Sequence, residues 1–245
     1  MKIEKYKFIK NGKYEVIIDS DKYIIYEDVI VKNNLLVKKE ITKEQLKELV
    51  SENSFYDAYY ASLKQIKNKL RTKKEIIDFL KKNGYSSKNI NFVIERLEKE
   101  KYINDDIYSK SYIHDCIHLK MIGPLKIKND LINKGIDKSI VLKNINVYTK
   151  DIEKEKLNKL IKKTVTNNSN KSSYFLKNKI VYDMTNKGFT KRYILDVLDS
   201  IEINDEEAYQ KEYDKLYKKY SSKYSGNELE YKIKQKLYSK GFKKD

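Results

Sequence analysis

Leu80-Lys81-Lys82-Asn83-Gly84-Tyr85-Ser86 has the form of a helix end. A glycine after a helix-forming run supplies the left-handed residue at which helices stop, because it has no Cβ to clash there. The stretch recurs as Leu131-Ile132-Asn133-Lys134-Gly135-Ile136-Asp137, as Met184-Thr185-Asn186-Lys187-Gly188-Phe189-Thr190, and as Leu237-Tyr238-Ser239-Lys240-Gly241-Phe242-Lys243. The glycines are 51, 53 and 53 residues apart. Each has a large apolar residue four positions before it, another directly after it, and an isoleucine eight before it (Ile76, Ile127, Ile180, Ile233). A fixed period of this size marks a tandem-repeat architecture.

One repeat reads helix, glycine turn, helix. The apolar residue after the glycine folds back on the helix just ended. Ser86, Asp137 and Thr190, two residues after the first three glycines, are side chains able to cap the next helix. That next helix has its own stripe. Ile90, Val93, Ile94 and Leu97 match Ile194, Val197, Leu198 and Ile201 at a shift of 104 residues, on one face of a helix. These apolar residues are core.

The 245-residue chain has a formal charge of +17, with 50 Lys and 3 Arg. Residues 1–54 carry 11 basic and 10 acidic side chains, and residues 55–245 carry 42 and 26, so the surplus belongs to the repeats. An AT-rich coding bias toward Lys and a polyanionic or acidic partner both account for this. With Cys116 the single cysteine, no intramolecular disulfide forms. No signal peptide or apolar run of membrane-spanning length is present, so the chain reads as cytoplasmic, with no membrane partner.

In chain order, Tyr6 and Phe8, the Asn11-Gly12 turn, then Tyr14, Val16 and Ile18 predict a β-hairpin. A turn at Asp19-Ser20-Asp21-Lys22 leads to a strand at Tyr23-Ile24-Ile25-Tyr26, and Val29-Ile30-Val31 extends the sheet. A short helix over about 42–50 starts with a Thr42–Gln45 capping box and presents Leu46, Leu49 and Val50. Ser51 to Ser54 reads as a joint, followed by helices over about 55–70, from Thr72 to Gly84, and over about 87–101. Asn104 or Asp105 caps the second repeat, and Asn204-Asp205 repeats that opening. Pro124 fits a first helical turn, and Thr166 to Ser173 reads as a polar loop. The fold class is therefore mainly α, with tandem three-helix, helix-turn-helix-like repeats in an elongated curved module behind a small antiparallel β meander. The parts are 1–54 (meander plus short helix), 55–102, 103–148 and 149–203 (full repeats), and 204–245 (a truncated fourth).

Chemistry-bearing motifs are sparse. His114 and His118 share a helix face at i,i+4, but nothing else in the chain completes a metal-ligand pattern. No Walker A, dinucleotide-binding or G-x-S-x-G pattern is found. No catalytic residue, metal or cofactor is expected. The remaining signal is cations at the starts of the middle helices: Arg71, Lys73 and Lys74, then Lys126 and Lys128, then Lys177 and Lys179. Cations are unfavourable at a helix N-terminus, which points to an anion facing them. Helix–turn–helix pairs also serve in duplex-DNA recognition, so a DNA-binding transcriptional regulator is the alternative reading.

One further set of motifs runs along the chain: Arg71-Thr72-Lys73-Lys74-Glu75 with Leu80 and Gly84-Tyr85, then Tyr102-Ile103-Asn104-Asp105-Asp106 with Tyr108 and Tyr112. It continues through Gly123-Pro124-Leu125-Lys126-Ile127, Leu131, Lys134-Gly135-Ile136 and Lys187-Gly188-Phe189. In their order and spacing these resemble the RecX family of RecA regulators, and the N-terminal meander resembles the extension of members from low-GC bacteria. Ser109 stands where the family usually has alanine, and Lys largely replaces Arg, which loses bidentate geometry. The resemblance implies a non-enzymatic monomer that lies in the groove of the RecA–DNA filament. It would block filament growth or favour disassembly, restraining strand exchange and LexA-type repressor cleavage in DNA repair and the SOS response. It would meet single- or double-stranded DNA through the filament or directly. The seven helix-start cations named above are its expected contacts.

Overall fold

Asn11 and Gly12 both take positive φ, 52° and 67°, as a two-residue hairpin turn requires. The computed structural model describes residues 1–242. Lys243, at the end of the fourth quoted stretch, and residues 244–245 lie outside the described part, so the fourth repeat is seen only to Phe242. The turn joins β1 (Ile3–Lys10) to β2 (Lys13–Ile18), and β3 (Asp21–Tyr26) completes an antiparallel sheet in the order β1-β2-β3. Val16, Ile18, Ile25 and Tyr26 bury one face. Helices make up most of the remaining described residues, so the fold is mainly helical with a small sheet, as expected.

Two local readings are corrected. Val29–Val31 is not strand but part of α1 (Glu27–Lys32). The Tyr26 amide is taken by Asn53 Oδ1 (2.9 Å) and the Glu27 amide by the Gly12 carbonyl (2.8 Å), which ends the ladder. Val29 and Ile30 are both buried, which consecutive residues of a half-exposed strand cannot be. The second correction is the joint at 51–54. One helix, α2 (Lys43–Ile66), runs through it from the expected Thr42–Gln45 capping box. Ser51-Glu52-Asn53-Ser54 contains neither Gly nor Pro, and Asn53 uses its amide to strap β3, donating to the Ile24 carbonyl at 2.8 Å. α2 ends at Ile66, four residues short of the expected end.

The chain falls into two compact units: Met1–Tyr108 with Lys134–Ile136, and Ser109–Asn133 with the chain from Asp137 on. In the first, Leu49 of α2 packs in the sheet core, and Ala58 and Tyr59 pack in the core of the first repeat with Ile76, Leu80, Val93 and Leu97. That second core is closed by α3 (Lys73–Lys82) and α4 (Ser87–Lys99). The chain then runs through α5 (Asp105–Leu119), α6 (Pro124–Asn133) and α7 (Lys138–Asn144). In the second unit α8 (Lys150–Asn167), α9 (Ser173–Asn186) and α10 (Lys191–Asp199) enclose Leu157, Ile161, Ile180, Met184, Phe189 and Ile194. There α11 (Glu206–Tyr220) and α12 (Gly226–Ser239) close on Leu216, Ile233, Leu237 and Phe242. The polar loop expected at 166–173 is shorter, because α8 reaches Asn167 and α9 starts at Ser173.

The glycine turns form as read. Gly84, Gly135, Gly188 and Gly241 have φ of 78°, 82°, 80° and 83°. Tyr85, Phe189 and Phe242 each donate back to the carbonyl five residues earlier, at 3.2, 3.1 and 3.1 Å, the long hydrogen bond of a Schellman cap. Ser86 and Asp137 cap the following helices. Thr190 does not. The carboxylate of buried Glu153 takes both the Thr190 amide (2.6 Å) and its hydroxyl (3.3 Å), so no side-chain cap remains.

Each later glycine turn also receives the start of the preceding repeat's middle helix. Thr72 Oγ1 donates to the Lys134 carbonyl (2.9 Å), the Gly123 amide to the Lys187 carbonyl (2.8 Å), and Ser172 Oγ to the Lys240 carbonyl (2.9 Å). A Cβ on Gly188 would stand 2.3 Å from the Lys126 nitrogen, whereas one on Gly84 would meet nothing within 4 Å. Gly84→Ala is therefore expected to cost only the left-handed strain, about 1–2 kcal/mol. Gly188→Ala is expected to cost ~3 kcal/mol or more, because backbone must also move. Urea unfolding of the two variants measures the difference. Ser109, fully buried, has a hydroxyl without a hydrogen-bond partner among the described residues. Ser109→Ala is expected to raise stability by ~1 kcal/mol, read as a higher melting temperature.

Candidate functional site

Thr72 starts α3 with a full capping box. Its hydroxyl accepts from the Glu75 amide (3.1 Å), and Glu75 accepts from the Thr72 amide (3.3 Å). Lys73 and Lys74 follow in the first turn, where backbone N–H groups leave positive charge. The anion facing them comes from the chain itself. The Lys73 amide donates to Asp105 Oδ1 (3.0 Å), and its ammonium donates to both oxygens of Glu98 (3.0 and 3.2 Å). Lys134 donates to Glu75 (2.9 Å). Burial works to raise the Glu75 carboxyl, but Lys134, the Thr72 amide and Arg71 hold it below its usual range. Burial keeps the Asp105 carboxyl above its usual range, against the pull of the Lys73 amide. Arg71 reaches Gln65 at 3.5 Å, and its Nε is buried with no partner among the described residues. Lys74 lays its alkyl chain over Gly135.

The same capping device appears in the second unit. The Ser173 amide at the start of α9 donates to Asp205 Oδ2 (2.6 Å). Asn104 Oδ1 accepts from the Asp106 and Ile107 amides, both at 3.0 Å, and Asn204 Oδ1 from the Glu206 amide at 2.8 Å. The Asn-Asp opening therefore does two jobs. Asn caps its own helix, and Asp caps a middle helix 32 residues upstream. The first job is visible in sequence; the second has no local signal.

Of the other candidate cations, Lys126 and Lys128 lie on α6. Lys126 packs its backbone and Cβ on Gly188, with its ammonium 3.9 Å from Asp130. Lys177 and Lys179 lie on α9, where Lys179 pairs with Asp183 at 2.9 Å. Lys128 and Lys177 form no ion pair among the described residues. Sequence reasoning missed Lys156, which is buried and donates to the Cys116 and Lys120 carbonyls (2.9 and 2.6 Å), neutralising the negative end of α5. Burial lowers its pKa and raises that of the Cys116 thiol. The His114 and His118 rings lie 4.3 Å apart between centroids on α5, tilted 49° to one another. No group of three or more His, Cys, Asp or Glu side chains able to hold a metal occurs among the described residues, and no helix there is long and apolar enough to cross a membrane.

No protein-family model matches the chain. Among curated proteins it is 30% identical over 253 residues to the "Regulatory protein RecX" of Bacillus thuringiensis subsp. konkukian, covering 100% of this chain and 93% of that one. It is 33% identical over 192 residues to that of Lactococcus lactis subsp. lactis, covering 77% and 71%. Among solved structures, "Crystal structure of regulatory protein RecX" superposes with a TM-score of 0.72 at 24% identity, covering 81% of this chain and 98% of that one. The RecX crystal structure from Lactobacillus salivarius gives 0.58 at 31% identity, covering 61% and 99%. With 30% identity running the full length of the chain, and with a fold that superposes on the RecX crystal structures, the chain belongs to the RecX family.

Proposed function

We propose that the chain is a regulatory protein that binds the filament a RecA-type recombinase forms on DNA, limiting its extension or favouring its disassembly without catalysing a reaction. The observation that carries this reading is the full-length likeness to proteins named regulatory protein RecX. The repeated joint supports it physically. A chain built of repeats suits a partner that is itself a repeating polymer. The lysine surplus favours a groove lined by phosphate or acidic side chains. In this reading the protein acts as a monomer in the cytoplasm, and it restrains strand exchange and repressor cleavage through the filament.

The helix-start cations differ in what they meet within the chain. Lys73 and Lys126 serve the repeat joints, and Lys179 pairs within its own helix. Lys128 and Lys177 are left to meet an external anion. The protein is expected to suppress the single-stranded-DNA-dependent ATPase of its cognate recombinase, more strongly at low salt. No change at any protein-to-recombinase ratio overturns the proposal, and tight binding to one preferred duplex site would favour a transcriptional regulator instead. Lys128→Glu and Lys177→Glu should each weaken suppression severalfold at unchanged melting temperature. Lys73→Glu, placed beside Glu98 and Asp105, should instead lower stability by ~1 kcal/mol.

A further inference from the structure

Four tyrosines of the second unit stand on the surface: Tyr182 is 68% exposed, Tyr238 69%, Tyr231 66% and Tyr174 54%. Rings this exposed contribute little to the core, and an exposed aromatic cluster marks a binding surface. Tyr174, Asn178 and Tyr182 are spaced i, i+4, i+8 on α9, which puts them in one stripe about 12 Å long. They line a groove of about 550 Å³, closed on the other side by Tyr238 and the Lys240–Phe242 turn. A second groove of about 480 Å³ lies beside it, lined by Tyr231, Lys234 and Gln235, and shares Tyr238 and Phe242 with the first. Tyr238 therefore stands as a partition between two aromatic slots.

The walls are basic. Lys171, Lys179 and Lys240 line the first groove and Lys234 the second, and residues 170–182 and 231–242, which supply them, contain no acid. Glu212, which also lines the first groove, is engaged by Lys240, and Asp183 by Lys179, while Lys234 stands 4.0 Å from Glu230 in an exposed pair of the weak kind that a phosphate can replace. Aromatic faces alternating with ammonium groups suit a polyanion that also offers flat apolar rings. Unpaired nucleic-acid bases do so, whereas the bases of a duplex hide their faces in the stack. Asn178, between two tyrosines, presents an amide to a base edge.

We propose that these two grooves form a single-stranded-DNA site, in which bases stack on Tyr182, Tyr174, Tyr238 and Tyr231 while Lys171 and Lys234 follow the phosphates. The site works on DNA directly and does not depend on the filament reading. The test is fluorescence anisotropy of the full chain with a labelled oligothymidylate of about 20 nucleotides, longer than one small module covers, and with a duplex of equal length, recombinase absent. The single strand is expected to bind more tightly than the duplex. Tyr182→Ala and Tyr238→Ala should each weaken it about tenfold with melting temperature unchanged, and Tyr182→Phe and Tyr238→Phe should restore it. Equal or tighter binding of the duplex, no binding of the single strand, or alanine variants that bind like the parent would overturn the proposal. If the alanine variants lose suppression of the recombinase ATPase while oligonucleotide binding is unchanged, the grooves serve a protein partner and the proposal also fails.

Discussion

A carbonyl one residue before a glycine organises the repeats. Three times, at Lys134, Lys187 and Lys240, the last carbonyls of one helix are answered by a donor at the start of another: Thr72, Gly123 or Ser172. A helix ends with unsatisfied carbonyls and starts with unsatisfied N–H groups. The joint brings a partial negative end to a partial positive start, so each defect supports the other. One such bond contributes only about 1 kcal/mol net, but a buried partner left unpaired costs ~1–3 kcal/mol. The glycines are thus fixed by two demands: φ near 80° and close approach. Gly84 carries only the first, since nothing lies within 4 Å of its missing Cβ.

The net charge of +17 is a poor guide to individual residues. Of the first helix-start group, Lys73 is held by Glu98 and Asp105, and Arg71 lies near Glu75, which Lys134 also engages, so much of that charge is answered inside the first unit. Lys156 is turned inward on backbone carbonyls.

Short-range chemistry was legible in the sequence. The Asn11-Gly12 hairpin, the Thr42 and Thr72 capping boxes, and the glycine turns each depend on residues within five positions of one another. The errors came where a distant group decided the outcome. Val29–Val31 turned helical because Asn53 and Gly12 take the amides that would have continued the ladder. Thr190 lost its cap to Glu153, 37 residues away. The cap on Lys73 comes from Asp105 across 32 residues. The aromatic grooves were invisible for another reason: with 22 tyrosines in the chain, composition does not say which ones face outward.

α2 serves two cores, packing Leu49 against the sheet and Ala58 and Tyr59 against the first repeat, with no break between them. Asp57 in its middle accepts hydrogen bonds from Tyr26 of the sheet (2.8 Å) and Tyr85 of the first glycine turn (2.7 Å). The meander is consequently not a detachable appendage. Its loss would strip one side of a helix whose other side holds the first repeat together. The amides from Lys43 to Ile66 should therefore exchange with solvent as one cooperative block, which makes sheet, helix and first repeat a single folding unit.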